Sequence, residues 1–265
     1  MKSSEYLEKL GIKHRDRDSA WEEIGRVSDG KRMDRLVRNR LSGSWYTKIG
    51  KPTKDYYNGI GGQVYEILQS GMYEVLAKDL DGMASEFKGV KRILDAGCGT
   101  GVCSCWLACN YADATVEGVD FSSKMLERAE EHKKKLGLAN VTFRKGDIAK
   151  LPFKTGHFDA ALCISTLFET EPDVTLNEIS RTLAMEGKIY ADSHWSGHAA
   201  EKEASVEETT RLFRDAGFDV SVSYSEAHEE EGMMECILTW KGKKVGKPKP
   251  IKFPYAAAMQ MREQF

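Results

Sequence analysis

The chain contains no window of about 18 consecutive apolar residues, so no stretch of it has the length and apolarity of a membrane-spanning helix. Met1-Lys2-Ser3-Ser4-Glu5 leads into a charged stretch instead of the apolar centre of a signal peptide, and the expected compartment is the cytoplasm. A dominant charge is missing too: 39 basic against 41 acidic residues leave a net charge of −2, which exerts no global pull on nucleic acid. Six cysteines are present, and Cys98, Cys103, Cys105 and Cys109 crowd together, but with neither CxxC nor CxxxCxxC spacing. They read as free thiols, with Cys105 and Cys109 serving as small hydrophobes, and no metal is expected. Internal repeats are absent. With 41% hydrophobic residues over 265 positions, what remains is one globular domain with additions.

The most informative feature is the run from Ile93 to Gly101, Ile-Leu-Asp-Ala-Gly-Cys-Gly-Thr-Gly. Ile93-Leu94 close a short apolar run that reads as a buried strand. Glycines follow at 97, 99 and 101, where a backbone without Cβ can turn sharply and approach a ligand. Val102, Cys105, Trp106 and Cys109 then repeat at helical spacing, so the turn leads into a helix burying one face. The start of such a helix offers free N–H groups and the positive end of its dipole. The pattern is not GxGxxG but Asp-x-Gly-x-Gly-x-Gly, with Asp95 two residues ahead of the first glycine. A carboxylate there repels a pyrophosphate and attracts a cationic amine. That favours S-adenosylmethionine, which carries an ammonium and a sulfonium and no phosphate.

On these residues the sequence resembles the class I S-adenosylmethionine-dependent methyltransferases, well over roughly 90–195 and loosely elsewhere. Thr115 to Asp120 looks like the family's second strand, whose terminal carboxylate accepts both ribose hydroxyls. Phe121 would pack on the adenine, Ser122 would cap the next helix and Gly137 would stop it. Met125, Leu126, Ala129 and Leu136 give that helix its apolar positions. Gly146-Asp147-Ile148, after a third strand at Val141 to Phe143, resembles the adenine-binding turn, with Asp147 accepting from the exocyclic amine. Phe158 to Ser165 resembles the fourth strand, Asn177 to Leu183 a helix, and Gly187 to Asp192 the fifth strand. Met185-Glu186-Gly187 stands where the family normally has Pro-Gly-Gly. The resemblance implies a doubly wound, mostly parallel, seven-stranded α/β sheet of Rossmann-like type with an N-terminal helical lid. It assigns the cofactor to Asp95, Gly97, Cys98, Gly99, Gly101, Asp120, Phe121, Met125, Asp147, Ile148, Cys163 and Ser165.

Three segments are expected: a lid at 1–62, the cofactor domain at 63–241 and an extension at 242–265. Val64, Ile67, Leu68, Met72, Val75, Leu76 and Leu80 predict one amphipathic helix. Asp55 to Gly62, with Tyr56 and Tyr57 among glycines, reads as a loop that, with Trp45 and Tyr46, covers the pocket; packed structural tyrosines are the alternative. His194-Trp195-Ser196-Gly197-His198 reads as a loop at the pocket mouth, followed by a helix near 205–216 and two strands at 218–224 and 233–240. Methyl transfer is an in-line displacement, so catalysis needs positioning and, for a hydroxyl or thiol acceptor, a base. Candidates are His194, Glu169 and Tyr57, with His198 as a weaker one.

The Asn/Asp-Pro-Pro-Tyr/Phe motif of amino-methylating nucleic-acid enzymes is missing; the run after strand four is Ile164-Ser165-Thr166-Leu167-Phe168-Glu169. The pattern resembles enzymes of quinone biosynthesis and general metabolism. The expected partner is a small-molecule methyl acceptor, with nucleic acid disfavoured and a homo-oligomer left open. Two other readings stand beside it. One is an RNA or protein methyltransferase using the basic segment 31–54, the other a non-catalytic S-adenosylmethionine-binding partner subunit.

Overall fold

Strands form where short apolar runs are bounded by turn residues, and helices where apolar residues recur at three and four. In the computed structural model, which describes residues 1–33, 51–225, 228–230 and 233–251, these elements gather into two compact units. The first takes residues 1–89 and 98–145, the second residues 90–97 and 146–265.

The first unit begins with α1 (Ser3–Leu10) and α2 (Arg17–Val27). Tyr6, Leu7 and Leu10 line one face of α1 and are all but fully buried. The Tyr6 hydroxyl donates to the Val102 carbonyl at 2.6 Å, and its ring lies 5.0 Å from that of Trp106. One face of α1 is therefore packed into the interior of this unit. Helix α3 (Lys51–Leu68) follows, kinked at Gly61, where φ is +73°. The segment read as a tyrosine and glycine loop, Asp55 to Gly62, is thus helical, because Ile60, Val64 and Ile67 continue one buried stripe through it. Those residues pack with Ala20, Ile24 and Met125. The single helix expected from Val64 to Leu80 is broken by a 3₁₀ turn, Gln69–Met72, before α4 (Tyr73–Glu86) begins.

Helix α5 (Val102–Asn110) departs from the one-faced pattern: Cys103 through Ala108 are all buried, as befits a helix apolar all round. Its Trp106 Nε1 donates to the Leu80 carbonyl at 2.7 Å. Strand β2 (Thr115–Asp120) pairs in parallel with β3 (Val141–Lys145), and between them α6 (Ser123–Leu136) is capped by Ser122 and ended by Gly137 in the left-handed conformation.

In the second unit, β1 (Arg92–Ala96) pairs in parallel with β4 (Phe158–Cys163), and β4 with β5 (Leu183–His198). Helix α7 (Pro172–Thr182) starts five residues ahead of the expected position, with Pro172 in its first turn. Residues 184–187 bulge out of the β4–β5 ladder, and Glu186 adopts φ +61° at the position where the family has glycine. Strand β5 runs on through His198, in an antiparallel ladder with β8 (Met233–Lys244) from Lys188↔Lys243 to His198↔Met233. The loop expected at 194–198 is therefore strand. The long facing strand keeps the backbone groups of these residues paired. Helix α8 (Ala199–Asp215) and β6 (Phe218–Tyr224), antiparallel to β8, follow, and the three-residue β7 (His228–Glu230) also pairs with β8. The boundary expected at 241 falls inside β8. Beyond it, Val245 and Gly246 donate to the Gly217 carbonyl and Lys249 to that of Asp215.

No helix among the described residues is long and apolar enough to cross a membrane.

Candidate functional site

The glycine turn joins β1 to α5, and all three glycines have positive φ: +78° at Gly97, +52° at Gly99 and +73° at Gly101. L-residues rarely adopt that region, so the turn demands glycine on conformational grounds alone. Gly99 adds a second property. A Cβ placed there would meet no atom within 4 Å, so its α-carbon faces open space. The backbone is open on that side to the approach of a ligand.

Within the first unit the turn is fastened to the end of β2. The Cys98 N–H donates to the Val119 carbonyl at 3.1 Å. The Gly99 N–H donates to Asp120 Oδ2 at 3.0 Å, and the Ser122 N–H to Asp120 Oδ1 at 2.7 Å. Asp120 is 7% exposed, and burial raises its pKa while the two N–H donors pull the other way. Each carboxylate oxygen has spent one acceptor site and retains another, so the group can still receive a pair of hydroxyls.

Phe121 follows, half-buried. The Tyr57 ring of α3 lies 6.0 Å from it, edge to face, and Lys54 Nζ lies 5.7 Å over it. The Ser122 hydroxyl donates to Asn58 Oδ1 at 3.0 Å while accepting from the Met125 N–H at 3.3 Å. The kinked helix α3 thus rests on the loop that follows Asp120. Met125 is buried in the first turn of α6.

In the second unit, Asp95 is 1% exposed at the end of β1, level with Leu162 of β4. Asp192 of β5, one residue past the Cys163↔Ala191 pair, is 2% exposed. Burial drives the Cys163 thiol pKa far up, and the charges of Asp192 and Asp95 add to the rise, so this cysteine is no thiolate. Ser165 has φ +47°, an uncommon conformation for serine. It is held there by Asp192, whose Oδ1 accepts from the Ser165 N–H at 2.5 Å and from its hydroxyl at 3.1 Å. The Thr166 hydroxyl lies 2.7 Å from the Ile164 carbonyl and 3.2 Å from that of Gly97, and its side chain fills the place a Cβ on Gly97 would need. Glu169 sits half-buried in the short 3₁₀ turn Leu167–Glu169.

Asp147 is exposed, and its Oδ1 accepts from the Ala149 N–H at 3.0 Å, so the carboxylate shapes its own turn. Ile148 beside it is buried. The side chains of His194 and His198, and the whole of Trp45 and Tyr46, lie outside the described residues. The six cysteines are free thiols, and only Cys109 is more than marginally exposed.

Three residues in these contacts, and a fourth behind the glycine turn, carry no motif that singles them out. Asp192 satisfies the rule that selected Asp95 and Asp120, a carboxylate at the carboxyl end of a strand, and was findable by it. Asn58 and Thr166 are polar residues without a motif. His132 sits on the buried stripe of α6, where apolar periodicity does not mark a histidine.

Comparison with known proteins identifies the family and the fold. A family described as a methyltransferase domain matches residues 88–244. Malonyl-[acyl-carrier protein] O-methyltransferase of Herminiimonas arsenicoxydans is 31% identical over 119 residues, which are 45% of this chain and 43% of that protein. The chain thus spans less than half the length of that relative. Among solved structures, the [4+2]-cyclase SpnF superposes with a TM-score of 0.56 at 22% identity, over 66% of this chain and 83% of that one. Geranyl diphosphate C-methyltransferase from Streptomyces coelicolor A3(2), solved with Mg²⁺, geranyl diphosphate and S-adenosyl-L-homocysteine, gives 0.56 at 13% identity over 77% and 99%. The fold is accordingly the Rossmann-like, mostly parallel α/β fold of these structures. The chain belongs to the methyltransferase-domain family.

Proposed function

We propose that this chain is an S-adenosylmethionine-dependent methyltransferase acting on a small-molecule acceptor. The observation that carries the reading is the lock between the glycine turn and Asp120. A carboxylate is buried at a strand end, each oxygen takes a backbone N–H, and the α-carbon of Gly99 beside it faces open space. The carboxylate of Asp120 fits the ribose of a nucleoside, and the carboxylate of Asp95 ahead of the turn fits a cationic amino-acid end and suits a pyrophosphate poorly. When bound, S-adenosylmethionine supplies a methyl group already activated by positive sulfur.

The chain's own residues then bind and orient. Asp120 accepts the ribose hydroxyls. Asp95, Gly97, Cys98, Gly99 and Gly101 receive the amino-acid end, where the carboxylate of Asp95 attracts the ammonium. Phe121, Met125 and Ile148 give the adenine apolar contact, and Asp147 accepts from its amine through the oxygen not used in its turn. Cys163 at the end of β4 and Ser165 just after it would complete the cofactor site, with Ser165 held in its strained conformation by Asp192. Excluding water falls to Tyr57 and the segment around it, which rests on Phe121. Glu169, Tyr57 and His194 are the proposed polar contacts of the acceptor, and His194 is the proposed base if the acceptor carries a hydroxyl or thiol. Six free thiols suit a reducing compartment, and cytoplasmic location belongs to the same proposal.

Titration calorimetry of S-adenosylmethionine with the full chain and with Asp120→Ala tests the reading. Losing charge-assisted hydrogen bonds should weaken binding by about 1–3 kcal/mol. Unchanged affinity removes Asp120 from the ribose site.

A further inference from the structure

Within the first unit, a buried polar group lies behind the glycine turn. His132 of α6 is 1% exposed and Glu66 of α3 is 9% exposed. His132 Nδ1 lies 3.0 Å from the backbone carbonyl of Thr100, the residue between Gly99 and Gly101. His132 Nε2 faces Glu66 Oε1 at 3.3 Å, and neither of these two atoms has a hydrogen bond to any other described group. Glu66 Oε2 is taken by Arg128, at 2.9 Å from Nε and 2.8 Å from Nη2.

The chemistry of these contacts fixes the protons. A carbonyl only accepts, so Nδ1 must carry hydrogen. In neutral imidazole Nε2 is then an acceptor, and it confronts a carboxylate oxygen, also an acceptor. Two buried acceptors at 3.3 Å without a donor would each bear a desolvation cost, which one proton between them removes.

We propose that Glu66 and His132 share one proton, and that this pair positions the glycine turn by holding the Thr100 carbonyl, so that His132 governs cofactor affinity without touching the cofactor. The proposal rests on the turn being the cofactor site. The groups that face the pair are few. Arg128, Glu131 and Lys135 come from α6 itself, with Arg128 Nη1 tied to Glu131 at 2.8 Å. Thr100 faces the pair with its carbonyl on His132 and its side chain toward Glu66, and the phenol of Tyr6 on α1 feels the charge of Glu66. Burial pushes the Glu66 carboxyl up, against the pull of Arg128, and the His132 imidazole down to about 4.

Two variants separate positioning from mere packing. Asparagine places its amide near the position of Nδ1 and can still donate to the Thr100 carbonyl. Glutamine reaches the position of Nε2, can still meet Glu66, and leaves the carbonyl without its donor. Calorimetric titration of S-adenosylmethionine should show His132→Asn binding within about threefold of the parent and His132→Gln about tenfold weaker, the scale of one buried hydrogen bond. Equal losses in both, or no loss in either, would overturn the proposal. Nitrogen NMR of His132 in the free chain adds a readout independent of the cofactor. Nδ1 bearing hydrogen at neutral pH is expected, and a neutral ring protonated on Nε2 alone would overturn the shared proton. A parent chain that binds no S-adenosylmethionine would defeat the cofactor reading, while the NMR result would still decide the pair.

Discussion

At the scale of single residues, the chain concentrates its constraints in a handful of buried carboxylates and the groups that satisfy them. Asp120 takes two backbone N–H groups, Asp192 holds the strained Ser165, and Glu66 sits between Arg128 and His132. One consequence is a pH dependence of stability. The imidazole of His132 has a folded-state pKa near 4, below the value of about 6.5 for an unfolded histidine. A depressed pKa means the unfolded chain takes up the proton first as pH falls. The stability it contributes is full above about pH 6.5 and is lost progressively toward pH 4. Glu66, raised by burial, works in the opposite sense, so the histidine contribution is best isolated against His132→Asn. Thermal melts should show the parent losing stability relative to His132→Asn between pH 6.5 and 4.5. Parallel curves would contradict a neutral buried imidazole.

At the scale of elements, the amino-terminal part divides by burial. Helix α1 fills a place against Trp106 and Val102, while α3 lies against Phe121 and Ser122. Tyr6, Leu7 and Leu10 are each buried in full or nearly so, and fully buried side chains of this size are worth roughly 1.5–3 kcal/mol apiece before chain entropy is subtracted. Deleting residues 1–12 should therefore cost at least about 2 kcal/mol, a drop of about 4–8 °C in Tm for a chain of this size. A truncated chain that melts with the parent would return α1 to the role of a cover.

Elements also show where sequence reading succeeds. Strands β1 to β4 and helix α6 were legible because their signals are local: apolar runs ended by glycine or aspartate, a serine cap, a glycine stop. The full length of β5 was not legible, because its far half is strand only by virtue of the ladder with β8, a contact between distant residues. The break in the helix after Leu68 was hidden for a related reason, since the apolar spacing continues across a 3₁₀ turn whose register no single window reveals.

At the scale of the whole molecule, the family membership, the fold and the turn geometry point to one cofactor chemistry, and most of that was legible in Asp95, the three glycines and Asp120. What was not legible was support: Asn58 under Ser122, Thr166 against Gly97, and His132 behind Thr100. Such residues follow no motif, because any side chain of the right reach and polarity can do the work, and only the packed chain shows which one does.

The open backbone at Gly99 tests the account most directly. A methyl group added there meets no protein atom within 4 Å, so Gly99→Ala bears only the strain of a positive φ, about 1–2 kcal/mol. The same methyl would stand where the cofactor is proposed to approach the backbone. Calorimetric titration of S-adenosylmethionine into the parent and into Gly99→Ala, each checked by its melting curve, should give 1:1 binding by the parent. The variant should remain folded and bind at least about tenfold more weakly, a difference of about 1.4 kcal/mol. A folded Gly99→Ala chain that binds S-adenosylmethionine as tightly as the parent would contradict the account.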